Sequence, residues 1–172
     1  MSPCLVALPD SPPEPSEPQA SAGEAVPLML VRVGGRWFAL AARMVEQVAV
    51  KGAVTRVPTA ARHVLGVTGL RGGLLPVVSL EQMIGTVGPT TPGLATTLPR
   101  LVVVRAGECE IALVVDEIRG IIDDLPAGAT AVPSGAGRPA FLAQEFEWQG
   151  RQVGVLDVAQ LVAAAAQTPG GA

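Results

Sequence analysis

The side chains that could carry out chemistry in this chain are few, and their spacing does not suit catalysis. Carboxylates occur as two adjacent pairs, Asp116-Glu117 and Asp123-Asp124, but neighbouring side chains on a strand point to opposite faces and do not converge on one substrate. The single histidine, His63, has no Cys, Asp or Glu within three residues, which favours a packed or surface residue over a base or ligand. We therefore predict no catalytic residue and a protein that is not an enzyme.

The cysteines and glycines do not indicate a metal or cofactor either. Cys4 and Cys109 lie far apart, and the sequence has no Cys-x-x-Cys or Cys/His spacing, so neither a disulfide framework nor a zinc site is predicted. The pairs Gly34-Gly35 and Gly72-Gly73 are better explained as hairpin turns than as nucleotide-binding loops, which a helix would follow. We predict no metal and no cofactor.

Composition argues against two classes of partner. The formal net charge is −3 and the chain has no tyrosine, whereas a nucleic-acid site needs a positive field and commonly stacking aromatics. No apolar run approaches the roughly 18 residues that a membrane helix needs, and the first residues lack the basic and apolar regions of a secretory signal. We expect a cytoplasmic protein that neither binds nucleic acid nor inserts directly into a membrane.

The chain divides into three parts by composition. Residues 1–27 are rich in proline and acidic residues and cannot bury enough apolar area to offset the entropy of ordering. We predict a disordered tail, which is either a passive extension or a short tethering motif for a partner. Residues 28–166 carry many short valine-rich strands between Gly/Pro turns, typical of a barrel or a pair of barrels. Residues 167–172 are predicted to be a frayed C-terminus.

The stretch from Gly66 to Leu80, GVTGLRGGLLPVVSL, positions the one side chain that stands out as functional. Two apolar runs flank Leu70-Arg71-Gly72-Gly73, and we expect the paired glycines to supply the positive φ of a tight hairpin turn. Arg71 lies at the bend of a segment otherwise almost free of charge. It either contacts a partner or braces its own domain, by donating to nearby carbonyls or by pairing with an acid such as Asp116.

This stretch resembles the signature of the CheW-like family, which comprises the coupling proteins of bacterial chemotaxis and the homologous regulatory domain of their histidine kinase. The family pattern is G-(V/I)-x-N-L-R-G-x-(I/V)-(I/L)-P-(V/I)-(V/I)-D-L. Gly69 replaces its Asn and Ser79 its Asp, and Val115 to Ile118 resembles a second family element, V-D-x-V. The residues that match the two motifs include Leu70, Gly72, Pro76 and Asp116, to which the resemblance gives a structural role.

The resemblance implies a mainly β, CheW-like fold of two small SH3-like five-stranded β-barrels packed side by side, with a short C-terminal helix. It implies a non-enzymatic adaptor in chemotaxis signal transduction that couples the cytoplasmic tip of a chemoreceptor, a methyl-accepting chemotaxis protein, to the regulatory domain of a CheA-type histidine kinase. Such a protein would be recruited from the cytoplasm to membrane receptor arrays. Carried over position by position, the resemblance implies a receptor-binding groove formed by Val45, Gln47, Gly66, Arg71 and Ile118.

Departures from the family pattern leave other functions open. Gln47 takes the place of the family's Glu, and Glu46, one residue earlier, is expected to point to the opposite face of its strand. Together with the departures at Gly69, Ser79 and Ala143, this change motivates an alternative to the coupling adaptor: a divergent regulator that binds only the kinase in a non-flagellar pathway, such as pilus motility or another chemosensory-like pathway. A third alternative is an unrelated small-molecule-binding β-barrel. Its test is a ligand that raises the protein's thermal stability in the absence of any protein partner.

Overall fold

The computed structural model describes residues 26–58, 60–85, 99–132 and 137–167. The predicted tail, apart from its last two residues, and the predicted frayed end, apart from Gln167, lie outside the described residues. The described part forms eleven strands, two α-helices and one 3-10 turn. In chain order these are β1 (Leu28–Val33), β2 (Arg36–Ala41), the 3-10 turn (Ala42–Met44), β3 (Val45–Val50), β4 (Val64–Leu70), β5 (Gly73–Val78), α1 (Leu80–Ile84), β6 (Arg100–Ala106), β7 (Cys109–Val115), β8 (Glu117–Ile122), β9 (Thr130–Ala131), β10 (Leu142–Trp148), β11 (Arg151–Leu156) and α2 (Val158–Ala166).

The strands form two sheets, so the predicted mainly β architecture is confirmed. The first sheet has the order β8-β1-β2-β11-β10-β9 and the second β3-β6-β7-β5-β4. The second has the five strands expected of each unit, while the first has six because the two-residue strand β9 adds to β10. Within the described residues the backbone pairing leaves both sheets open rather than closed into barrels.

One apolar cluster joins the two sheets and helix α2. It contains Leu40 from the first sheet, Leu113 from the second and Leu161 from the helix, all buried. The helix presents Val158, Leu161, Val162 and Ala165 to this cluster, the i, i+3, i+4, i+7 spacing of one helix face. Asp157 caps the helix by accepting a hydrogen bond from the Gln160 amide at 3.1 Å. The expected C-terminal helix is therefore confirmed, and it closes the core that the two sheets share.

Candidate functional site

The hairpin between β4 and β5 turns at Arg71 and Gly72. Leu70 pairs with Gly73 as the last pair of the ladder, which leaves a two-residue turn with φ of 51° at Arg71 and 77° at Gly72. Both residues are left-handed, as a type I′ turn requires. The expectation that Gly72 and Gly73 supply the positive φ is therefore wrong by one residue, because Gly73 already belongs to strand β5.

The Arg71 side chain is exposed and makes no hydrogen bond or ion pair within the described residues. The acid suggested as its partner is engaged elsewhere, since Asp116 Oδ2 accepts a hydrogen bond from the Gly34 amide at 2.8 Å. The bracing role considered for Arg71 is therefore wrong in this structure. A side chain in the left-handed region costs about 1–2 kcal/mol relative to the right-handed one, and such strain is often kept at functional sites.

Asp116 ties the β7–β8 junction to the first hairpin of the chain. Its carboxylate accepts from Gly34 in the β1–β2 turn, and its own amide donates to the Arg32 carbonyl at 2.9 Å. The remaining motif residues belong to the β4–β5 hairpin. Leu70 packs against the buried cluster of the second sheet, Pro76 pairs with Val67, and Gly72 completes the turn.

Strand β3 presents Gln47 inward and Glu46 outward, as the alternation of strand side chains predicts. Glu46 Oε1 lies 3.2 Å from Arg105 Nε. The hydrogen bond to Glu110 and the charges of Glu110 and Glu46 raise the pKa of Arg105. Gln47 Oε1, in contrast, is buried without a hydrogen-bond partner among the described residues. Because this atom is not accessible to solvent, a donor from another molecule could reach it only if the Gln47 side chain turned outward.

Gly66 is buried where the β3–β4 connection returns to strand β4. A Cβ at this residue would lie 2.2 Å from the Thr55 carbonyl oxygen, and its φ is +148°. Thr55 and Val67 exchange two backbone hydrogen bonds of 2.8 Å directly beside it. Gly66 has no side chain to offer a partner. Its part in the predicted groove is therefore to allow this close approach of two backbone segments.

Val45 and Ile118 lie in different sheets but pack against the same central cluster. Ile118 is on β8, at the edge of the first sheet, where it pairs with Val31 beside a register shift. Ala49, the inward neighbour of Gln47, and Leu70 both pack against the cluster of the second sheet. The structure thus places Val45 and Ile118 at the central cluster, Gln47 on the edge strand β3 of the second sheet, and Gly66 and Arg71 on and beside β4 at the other edge of that sheet.

The comparisons with known proteins agree with this geometry. A family model described as the CheW-like domain matches residues 27–166. This chain belongs to the CheW-like family. The crystal structure of the scaffolding protein TtCheW from Thermoanaerobacter tengcongensis matches with a TM-score of 0.71 and 15% sequence identity, over 91% of this chain and 97% of that one. No curated protein sequence matches significantly.

The CheW-like domain of this chain also exposes residues that the sequence reasoning did not single out. Leu74, three residues after Arg71, is 76% exposed, and Val50 on β3 is 57% exposed. A signal for the first was available, because Leu74 and Leu75 are consecutive on one strand and only one of them can face the core. Leu74 therefore adds an exposed apolar side chain to the same hairpin as the unpaired Arg71.

Neither helix in the described part of this CheW-like chain has the length and apolarity to span a membrane. Across residues 26–58, 60–85, 99–132 and 137–167, no three His, Cys, Asp or Glu residues are grouped so that they could hold a metal ion.

Replacing Gln47 with methionine is expected to raise the free energy of unfolding by about 1 kcal/mol, because a buried unsatisfied acceptor costs about 1–3 kcal/mol and methionine fills a similar volume without one. Chemical denaturation with urea measures the change. The matched control is Gln152→Met, at an exposed position on β11, which should change stability little. A loss of stability in Gln47→Met would contradict this account and indicate that the Gln47 amide is satisfied in solution.

Proposed function

We propose that this protein is a non-enzymatic scaffold that couples the cytoplasmic tip of a chemoreceptor to the regulatory domain of a CheA-type histidine kinase. Membership of the CheW-like family supports the scaffold role. The observation that carries the receptor-binding part is the exposed Arg71 guanidinium, held by a strained turn without a partner in the described residues. The protein would act in the cytoplasm and be recruited to receptor arrays at the membrane.

The proposed receptor surface combines three kinds of contact. Val45 and Ile118 are half-buried apolar residues, suited to the apolar face of a helical hairpin. Arg71 offers five N–H donors and a positive charge to a carboxylate on the partner. Gln47 is half-buried on β3, and its Oε1 would accept from a donor of the receptor once the side chain turns outward. The buried Gly66 would hold β4 in the position from which Arg71 projects.

Coupling would follow from the shared core of the two sheets. Because one apolar cluster joins both sheets and α2, a receptor bound across the two sheets is held in a defined position relative to a kinase bound elsewhere on the same domain. A scaffold of this kind raises the effective concentration of receptor and kinase for each other. A signal would pass as a change in their relative placement and would need no catalytic group.

The test is calorimetric titration of the full chain with a receptor tip fragment and, separately, with a CheA-type regulatory domain. We expect a Kd in the micromolar range or lower for each partner, which corresponds to a binding free energy of about −8 kcal/mol or more negative. Arg71→Gly should weaken only the receptor arm. Binding to the kinase alone would instead favour the divergent regulator, which the uncharged, inward-facing Gln47 makes the second candidate. Binding to neither would overturn both functions.

A further inference from the structure

A basic cleft lies beside the β3–β4 connection, on residues to which the proposed scaffold role gives no task. Its volume is about 480 Å³, and its charged lining residues are Lys51, Arg56 and Arg62. Val54 and Leu65 are among the apolar residues that form its walls, and no acidic residue lines it. A cleft with three cations and several apolar residues in its lining is suited to an anionic chain segment rather than to a neutral ligand.

These three cations are distinguished by sharing one cleft that no acidic residue lines, since other arginines, such as Arg71 and Arg100, are also without an ion pair within the described residues. Arg32, Arg105, Arg119 and Arg138 each form an ion pair with a glutamate. Lys51, Arg56 and Arg62 form no ion pair within the part of the chain that the structure describes. Like charges that share a cleft repel one another. An anionic occupant would remove that repulsion.

Negative charge that could pair with the cleft's cations is found at the start of the same chain. Four of the 15 acidic residues lie in the first 25 positions, whereas all 12 Lys and Arg residues come later. The net charge of −3 therefore combines a segment of −4 with a domain of about +1, since 11 acidic residues remain against 12 basic ones. The four acids are Asp10, Glu14, Glu17 and Glu24.

We propose that residues 10–24, the acidic and proline-rich N-terminal segment, bind the basic cleft of their own domain. Asp10 and Glu17 precede Val26, the first described residue, by sixteen and nine residues, which span about 50 and 30 Å when extended. A domain of this size is about 40 Å across, so the acids farthest from Val26 can reach the cleft, whereas Glu24, two residues from Val26, adds little to the contact. Prolines favour extended conformations, in which carboxylates and apolar side chains can both meet the cleft. Because exposed ion pairs are individually weak, the contact depends on the millimolar effective concentration that a tether supplies.

The two cysteines of the chain allow a direct test. Cys109 is exposed beside the β6–β7 turn, and its replacement by serine leaves Cys4 as the only thiol. A nitroxide spin label at Cys4 of the full-length Cys109→Ser protein broadens the NMR signals of nearby amides. We expect Val54, Ala60 and Leu65 to lose most of their intensity at low salt, and Gly150 to lose little. The loss should reverse in about 1 M sodium chloride, where the Debye length is about 3 Å.

Two variants separate specific docking from a segment that merely lies near the surface. The cleft variant, Lys51→Gln/Arg56→Gln/Arg62→Gln, should restore the lost intensities. The matched variant removes three cations outside the cleft, Arg43→Gln/Arg119→Gln/Arg138→Gln, and should not restore them. Neutralising the four acids of the segment should act like the cleft variant. Amide chemical shifts of β1 and β2 in each variant serve as the check on folding.

The proposal is overturned by three results: no broadening at the cleft, broadening spread evenly over the domain, or broadening that survives neutralisation of either the cleft or the segment. The experiment contains no receptor and no kinase, so its outcome is independent of the proposed scaffold function. A separate titration of the unlabelled protein with an acidic receptor fragment covers the remaining case: if the label has no effect but this fragment shifts the cleft amides, the cleft binds a partner in trans and the proposed occupant is wrong.

Discussion

Gly66→Ala is expected to lower the free energy of unfolding by about 3 kcal/mol or more, because overpacking and an unfavourable φ each cost about 1–3 kcal/mol. The new Cβ would lie 2.2 Å from the Thr55 carbonyl oxygen and 2.7 Å from its carbon. Both atoms are backbone, and the two 2.8 Å hydrogen bonds between Thr55 and Val67 hold them in place. Urea denaturation followed by tryptophan fluorescence measures the change, since Trp37 and Trp148 lie in the first sheet.

Gly69→Ala is the matched control for this prediction. Gly69 lies on the same strand, but a Cβ there meets no heavy atom within 4 Å. Because glycine in a strand costs about 0.5–1 kcal/mol relative to alanine, the control should be neutral or slightly stabilising. Equal effects of the two substitutions, or wild-type stability of Gly66→Ala, would show that the β3–β4 connection does not approach β4 this closely in solution.

The sequence was informative wherever a local pattern determines local structure. Alternation along Val45–Val50 predicts that Glu46 and Gln47 face opposite ways, and the structure agrees because a strand's side chains repeat every two residues. The hairpin at Arg71 was also predictable, but its φ values were not. Whether Gly73 lies in the turn or in β5 depends on which pair closes the ladder, and that register is set by packing of the strands against the core.

The parts that could not be predicted depend on contacts between distant segments. Nothing local to Gln47 indicates that its Oε1 is buried without a partner, since its burial arises from the packing around β3. The basic cleft is likewise invisible in the sequence, because Lys51 and Arg62 are eleven positions apart and meet only when the β3–β4 connection folds back on β4. The sequence also cannot show that Arg71 is unpaired, because that depends on Asp116, its suggested partner, accepting a hydrogen bond from Gly34 instead.

Arg71→Gly is expected to change stability and receptor binding in opposite directions. Glycine relieves the left-handed φ of 51°, so the free energy of unfolding should rise by about 0.5–1 kcal/mol once the greater entropy of glycine in the unfolded chain is subtracted. Affinity for a receptor tip should fall, because a hydrogen bond to a charged group contributes about 1.5–3 kcal/mol. That range corresponds to an increase in Kd of about 10- to 150-fold, which calorimetry measures.

Gln149→Gly is the matched control, because Gln149 occupies the same position in a second turn of the same geometry. It has a φ of 50° and is followed by Gly150 at 73°, in the two-residue turn that joins β10 to β11. Both substitutions should raise stability to a similar degree, and only Arg71→Gly should weaken receptor binding. Weakening by both would assign the effect to hairpin rigidity rather than to the guanidinium. If neither affects binding, the strain at Arg71 serves no receptor contact, and the receptor surface must lie elsewhere on the domain.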